Sequence, residues 1–192
     1  MSTSRKRVLF AVVVGIALGA LGALGAERAH HLASSDAFCG NACHSMKAYV
    51  TSAPAYVTSA HQTSWSGVHA GCADCHIPEG LIASTWAHIK GGVKDGYAEW
   101  TTDFSKPEAW EARKAELAYR VRDWLVETDS ATCRRCHSKE EAIDPGFRRG
   151  QREHRLARRE GVTCIVCHYN LVHEPVEPRE EFVRLAEPAR QG

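Results

Sequence analysis

Eight cysteines, arranged in four pairs that each end in histidine, constrain this 192-residue chain more than any other feature. We call each group a box: Cys39, Cys43 and His44 in CGNACH; Cys72, Cys75 and His76 in CADCH; Cys133, Cys136 and His137 in CRRCH; Cys164, Cys167 and His168 in CIVCH. Two thiols separated by two residues reach the vinyl groups on one edge of a porphyrin, and the histidine that follows binds the iron. The boxes therefore predict four covalently bound haem c groups.

Two other roles for paired cysteines fit the pattern less well. A zinc site needs four ligands for each ion and does not require a histidine after every second cysteine. A disulfide within Cys-x-x-Cys is usually a reactive redox pair rather than a structural crosslink. Zinc binding and disulfide formation remain the alternatives to haem.

The first box has one residue more between its cysteines than the other three boxes. The spacing from Cys43 to His44 is unchanged, so a longer loop back to Cys39 still allows two thioether bonds. Met46 is the only methionine besides Met1, and methionine is an established ligand of haem iron. We expect a haem at this box with Met46 as an iron ligand, or else Met46 packed against it.

An uncharged segment of nineteen residues, 8–26, follows three basic residues near the N-terminus. As a helix, this length crosses a bilayer hydrocarbon core of about 30 Å. Basic residues before the segment keep the N-terminus in the cytoplasm and place the following chain outside it. We predict a cytoplasmic segment 1–7, a transmembrane anchor 8–26, a periplasmic cytochrome domain 27–178 and a charged tail 179–192. The alternative for the anchor is a cleaved signal peptide.

The remaining chain predicts a mostly α-helical fold with few or no strands. Apolar residues recur at helical spacing in residues 81–100 and 106–126, and a strongly basic helix is predicted at 148–160. The residues after Pro175 are charged and unpatterned, so we expect them to be extended. Large aliphatic side chains are scarce outside the N-terminal segment, which predicts a thin core filled by a bulky cofactor. The net charge of +1 gives no indication of nucleic-acid binding.

The chain resembles the membrane-anchored tetrahaem quinol dehydrogenases of the NapC/NirT/NrfH type. The resemblance runs from about residue 5 to residue 178 and rests on the N-terminal helix, the four boxes, CHSM at the first box and CHYNLVH at the last. It implies that Met46 rather than His44 binds the first iron, next to a quinol site. The fourth box and its tail also resemble the tetrahaem cytochrome that exchanges electrons with quinone in ammonia oxidisers, so the redox partner stays open.

Each haem iron needs a second axial ligand, and the unboxed histidines are the candidates. His173 lies five residues after the last box and matches the family's terminal histidine. His154, on the basic helix, resembles the distal ligand of members that complete their own coordination. His61 matches the family's histidine before the second box, with His69 as the alternative. We expect these three histidines to complete haems two to four.

A quinol site is predicted on the polar face of the helix at residues 81–100. His88 and Asp95 lie seven residues apart, two turns along one side. Gly91 and Gly92 on that face leave room for a flat molecule, with a simple kink as the alternative.

Asp95 in KDGY resembles the family's acidic residue beside the first haem, while His88 or Lys90 substitutes for a family lysine. A carboxylate in this place can accept a quinol proton. The alternative is a surface carboxylate paired with Lys94 or Arg28.

The function implied is oxidation of membrane quinol and transfer of the electrons to a periplasmic reductase or other redox enzyme. The protein would then be held in the inner membrane as a single-pass chain, in contact with the lipid bilayer and the quinone pool. Two alternatives are electron flow in reverse, from an oxidative enzyme into quinone, and a soluble tetrahaem carrier released by cleavage. Self-association as a homo-oligomer is also left open.

Overall fold

The computed structural model describes residues 3–138 and 146–187, and this part of the chain is mostly α-helical and contains no strand. Its helices are α1 Thr3–Ala33, α2 Asp36–Asn41, a π-helix Met46–Thr51, α3 Pro54–Val57, α4 Cys72–His76, α5 Leu81–Thr101, α6 Pro107–Glu127, α7 Ala131–Cys136, α8 Arg148–Arg159, α9 Cys164–Cys167 and α10 Glu180–Arg184. The predicted fold class is confirmed. Residues 1–2 of the predicted cytoplasmic segment and 188–192 of the predicted tail lie outside the described residues.

α1 is a single uninterrupted helix of 31 residues in which no side chain is buried. It includes the whole uncharged segment 8–26 and continues to Ala33. Its length and composition are sufficient for it to cross a membrane. At 1.5 Å per residue, it is about 46 Å long, more than a hydrocarbon core requires. The last turns of α1 therefore extend past the apolar segment toward the rest of the protein.

The hydrophobic core is small, as predicted, and lies between the end of α6, box four and the C-terminal helix. It consists of five buried side chains: Leu125, Ile165, Val166, Phe182 and Ala186. Tyr169 packs edge-on against Phe182 with ring centroids 5.9 Å apart. This core joins α6, α9 and α10 and fixes the chain around the last box.

The expectation of an extended C-terminal tail is wrong for Glu180–Arg184, which form α10. Phe182 is 4% exposed and Ala186 is 1% exposed, so the segment packs onto the core. These two residues, four apart, lie on one side of the turn, and the charged residues around them face solvent. The helix forms because it buries this short apolar side.

The basic and central helices form where their sequence patterns predicted them. α8 ends just before Gly161, whose φ of +66° is a left-handed conformation that favours glycine. Within α6, Trp110 stacks on Tyr49 with centroids 5.3 Å apart, and Leu125 is buried. α6 and α8 therefore help to position the segments that flank the boxes.

Replacing Phe182 with alanine tests whether the C-terminal helix belongs to the fold. Removing this buried ring should lower the free energy of unfolding by about 3 kcal/mol, because it leaves a cavity in a small core. Leu185→Ala is the matched control, since Leu185 is 45% exposed and its loss should cost about 0.5 kcal/mol. Guanidinium titration followed by circular dichroism measures both values. Equal, small effects would show that α10 is not packed on the core.

Candidate functional site

The first two boxes are held together by a short contact between α2 and α4. The backbone N–H of Cys72 donates to Asp36 Oδ1 at 2.7 Å. A Cβ on Gly71 would lie 2.8 Å from the same oxygen, so glycine permits this approach. The thiols of Cys39 and Cys72 also share a hydrogen bond, which lowers the pKa of Cys39 to about 7 and raises the pKa of Cys72. Cysteines of successive boxes are therefore direct neighbours.

The second and third boxes are joined in the same way. Thr132 Oγ1, beside Cys133, donates to the carbonyl of Cys75 at 3.1 Å. Arg135, between the cysteines of box three, donates to the Asp74 carbonyl of box two. α4 and α7 therefore pack against each other.

Ser130 links the third box to the fourth. It is fully buried, shares a 2.7 Å hydrogen bond with the Thr163 hydroxyl and accepts the Ile165 N–H at 3.1 Å. Its φ of +50° is unusual for a residue other than glycine and brings its hydroxyl between the two boxes. The four boxes thus follow one another in space in the order of the sequence.

Three of the four box histidines each face a second histidine. Ring centroids are 6.0 Å apart for His76 and His173, 6.2 Å for His61 and His137, and 6.0 Å for His154 and His168. A metal–imidazole bond is about 2 Å long and a ring nitrogen lies about 1 Å from its centroid, so two imidazoles sharing one metal have centroids about 6 Å apart. The separation of each pair therefore matches that of two imidazoles bound to one iron.

The protein surroundings favour the neutral, metal-binding form of four of these six imidazoles. Burial, with a smaller effect from His173, lowers the pKa of His76 to about 4. It also lowers the pKa values of His61, His168 and His173. Neutral imidazole is the ligating form, so no proton has to be displaced before metal binding.

Two of the distal candidates also have ring nitrogens without a protein partner. Nδ1 of His61 and Nδ1 of His154 are buried, with no hydrogen-bond partner among the described residues. A buried polar atom left unpaired costs about 1–3 kcal/mol. Together with the ring separations, these observations show that the residues present fit haem groups at boxes two to four.

The structure distinguishes between His61 and His69, the two candidates for one distal iron ligand. His61 lies beside His137, whereas His69 is exposed at the end of a loop closed by the hydrogen bond from Ala70 N–H to the His61 carbonyl. The arrangement of the described residues therefore favours His61.

The first box is built differently from the others. His44 is exposed, while Met46 is half-buried and begins the π-helix Met46–Thr51. π-Helical turns are rare and occur often at functional sites. The exposure of His44 is shared by His76, His137 and His168, so it is the half-buried position of Met46 in a π-helical turn that makes Met46 a candidate iron ligand.

Two acidic residues of α5 lie close to this box. Burial raises the pKa of the Cys43 thiol, and the negative charges of Glu99 and Asp95 raise it further. The buried hydroxyl of Ser45 donates to Glu99. α5 thus presents two carboxylates to the first box.

Asp95 forms an ion pair that differs from the predicted alternatives. Its Oδ1 lies 3.1 Å from Arg120 Nη2 on α6. Lys94, one of the two cations expected as its partner, lies instead 3.9 Å from Glu116. Asp95 is only partly exposed and is held in a defined place beside the first box.

His88 lies on the same side of α5 as Asp95 and contacts the C-terminal end of α1. Its Nδ1 donates to the Ser84 carbonyl at 2.8 Å, which leaves Nε2 as the proton-accepting atom, 3.4 Å from the Ser34 hydroxyl. Its ring packs edge-on against His30 at 5.5 Å. Lys90 is exposed and, two residues from His88 on a helix, projects from a different side. The structure brings His88 and Asp95 to one face and does not bring Lys90 there.

The glycines of this face are open to the surroundings. α5 runs through Gly91 and Gly92 without a break. A Cβ on Gly92 would meet no protein atom within 4 Å, and one on Gly91 would meet only the Asp95 carboxylate, at 3.9 Å. Protein packing therefore does not explain their presence, and the space above them is free for another molecule.

Three residues with clear roles in the site were not singled out from the sequence. Glu99 lies one turn after Asp95, so helical spacing could have indicated it. Arg120 pairs with Asp95 across two helices, which no local pattern reveals. Arg122 is buried, and its Nη2 donates to Asn170 Oδ1 at 2.9 Å and to the Val176 carbonyl at 2.8 Å. It thereby holds the segment that carries His173.

The chain belongs to the NapC/NirT cytochrome c family, whose N-terminal region model matches residues 1–178. It is 38% identical over 172 residues to a "Probable tetraheme cytochrome c-type" protein of Nitrosomonas europaea, covering 88% of this chain and 69% of the relative. It is 36% identical to the cytochrome c-type protein TorY of Escherichia coli O157:H7, covering 90% of this chain but 47% of TorY. It is 30% identical to the denitrification system component NirT of Stutzerimonas stutzeri, covering 88% of this chain and 83% of NirT. No solved structure matches the chain.

Intact-mass measurement of the purified protein should show four covalent haem additions. The first box provides the sharpest case, because its extra residue lengthens the loop between the thiols. The variant Cys39→Ala/Cys43→Ala should carry three haems, and Trp65→Ser, at a 99% exposed side chain outside all four boxes, should carry four. Three additions in the unmodified protein would show that the first box is not a haem attachment site.

Proposed function

We propose that this protein is a membrane-anchored tetrahaem cytochrome c that oxidises membrane quinol and passes the electrons to a periplasmic redox enzyme. Membership of the NapC/NirT family supports the general class, since cytochromes of this family are membrane-anchored and carry electrons from quinol to periplasmic reductases. The relatives that the chain matches differ in length and name, so the particular partner is not part of the proposal.

The observation that carries the proposal is the set of three histidine pairs, each with ring centroids about 6 Å apart, along a connected series of boxes. We assign His76 and His173 to the haem of box two, His137 and His61 to that of box three, and His168 and His154 to that of box four. The two cysteines of each box would hold the porphyrin covalently. Haem c supplies one-electron redox chemistry when bound.

At box one we assign Met46 as the iron ligand in place of His44. The thioether sulfur is a weaker, more polarizable ligand than imidazole, and methionine ligation raises haem potentials. A higher potential at this position favours acceptance of electrons. The difference between box one and the other boxes is thus consistent with a specialised role at the quinol end.

The quinol end requires bases as well as a redox centre. Oxidising one quinol to quinone releases two electrons and two protons, and the protons must pass to protein groups or water. Asp95 lies beside the first box, and Nε2 of His88 is a proton-accepting atom whose partner is the Ser34 hydroxyl at 3.4 Å. Arg120 holds the Asp95 carboxylate in place, and the open space over Gly92 gives the quinol ring room to approach. We therefore propose Asp95 and His88 as the proton acceptors.

Replacing distal histidines should identify the haem that each one serves. His61→Ala, His154→Ala and His173→Ala should each convert one low-spin haem to a high-spin haem in electron paramagnetic resonance, because an axial imidazole is lost. His69→Ala is the matched control and should leave all spectra unchanged. A low-spin to high-spin change in His69→Ala, with none in His61→Ala, would overturn the assignment at box three.

Replacing Asp95 tests the quinol site itself. Asp95→Asn should keep four haems and full reduction by dithionite but lose most quinol-driven reduction, because the amide cannot accept the proton. A loss of about 10²-fold is typical when a general base is removed. Stopped-flow absorbance of the haems in vesicles measures the rate.

Two control variants separate proton transfer from structural damage. Arg120→Gln breaks the same ion pair but keeps the carboxylate, so it should retain most quinol oxidation. Met46→Ala should instead shift the spectrum and potential of one haem. Near-normal quinol oxidation by Asp95→Asn would move the proton acceptor to His88, and equal loss in Arg120→Gln would give Asp95 only a structural role.

A further inference from the structure

One side of α5 exposes a continuous row of large apolar side chains. The row consists of Ile82, Trp86, Ile89, Val93, Tyr97 and Trp100, which are between 53% and 86% exposed. Their spacing of three or four residues places them along a single face for about five turns, or about 27 Å. An apolar face of this length is uncommon on the surface of a soluble domain and marks a site of contact.

The opposite side of α5 makes all of the contacts described above. Ser84 and Ala98 are buried there, Asp95 pairs with Arg120, and Glu99 accepts the Ser45 hydroxyl. Cys43 of box one lies on this side too, close enough for both carboxylates to raise its pKa. A haem attached to box one would therefore lie against the polar side and leave the apolar row uncovered.

The position of α5 relative to α1 indicates what the row faces. His88, in the middle of α5, contacts His30 and Ser34 at the end of α1. His30 lies four residues beyond the uncharged segment, which is about 6 Å along the helix. The headgroup layer on each side of a bilayer is about 5–8 Å thick. If α1 crosses the membrane, α5 is thus placed at the level of the lipid headgroups.

The residues of the row match the chemistry of that layer. Tryptophan and tyrosine are enriched where the hydrocarbon core meets the headgroups, and the row contains Trp86, Tyr97 and Trp100. Lys90 and Lys94 are exposed along one edge of the row; Lys94 lies 3.9 Å from Glu116, and Lys90 is placed to attract an anionic headgroup.

We propose that α5 lies on the membrane surface with its apolar row inserted among the lipids, as a second membrane contact besides α1. The outward membrane contact would leave the polar side of the same helix facing box one. α5 would thereby set the height of the first box above the bilayer. α1 alone does not fulfil this role, because only a short turn connects α1 to the first box. The inference concerns lipid contact and is independent of the direction of electron flow.

The test uses the full-length, haem-loaded protein in vesicles of phosphatidylcholine and phosphatidylglycerol that contain a lipid with a diazirine on its acyl chain. After illumination, peptide mass mapping locates the attached lipid. Label is expected on α1 and on peptides spanning Leu81–Thr101. The variant Trp86→Ser/Val93→Ser/Trp100→Ser should lose the α5 label and keep the α1 label, with four haems retained. Trp65→Ser, at a fully exposed tryptophan outside α5, should change nothing.

Two results would overturn the proposal, and both are read from the unmodified protein. The first is label on α1 without label on α5, which would show that the apolar row does not reach the acyl chains. The second is a detergent-stable dimer crosslinked through α5, which would show that a second copy covers the row. Neither result depends on quinol oxidation, so the proposed function is tested separately.

Discussion

The pairing of imidazoles at about 6 Å is the constraint on which the rest of this structure depends. Three such pairs connect residues 61, 76, 137, 154, 168 and 173, and an iron bound by both histidines of a pair would fix segments from distant parts of the chain. The apolar core is too small to organise these segments by itself. Hydrogen bonds between successive boxes and the buried Arg122 supply the remaining positioning. In the loaded protein, covalently attached porphyrins would take the place of a conventional core.

The sequence predicted those parts of the molecule that depend on local chemistry. Thiol and histidine spacing identified the boxes, and helical periodicity located α5, α6 and α8. The pairing of histidines could not be read in this way, because nearness along the chain is misleading. His173 lies five residues from His168 but faces His76, and His61 precedes box two but faces His137. A histidine close to its own box lacks the chain length to reach the far side of the same iron.

The other differences have the same physical origin. The ion pair of Asp95 joins residues 25 positions apart on separate helices, and no sequence pattern distinguished Arg120 from the predicted partners Lys94 and Arg28. α10 was missed because the helix is short and the apolar residues in and just after it do not form a clear periodic pattern; only Phe182 and Ala186 among them are buried. Among the described residues, long-range contacts of charged and aromatic side chains were thus the features least accessible to pattern analysis.

The proposed function implies that one end of the molecule lies at the membrane and the other faces a soluble partner. In that arrangement α1, α5 and box one would form the membrane end, and the boxes continue in order toward box four and the basic helix α8. His154 on α8 faces His168, so the last pair is built by a helix rich in arginine. Such a surface would suit an acidic redox partner, and the separation of the two ends would keep a lipid-soluble donor away from a soluble acceptor.

The most direct test of the central claim is reduction of the unmodified protein, reconstituted in vesicles, by a membrane quinol. The account predicts that quinol alone produces rapid haem reduction, visible as a sharpened absorbance band, and that no soluble donor is required. Complete reduction by dithionite together with no response to quinol would contradict the claim that this protein takes electrons from the membrane.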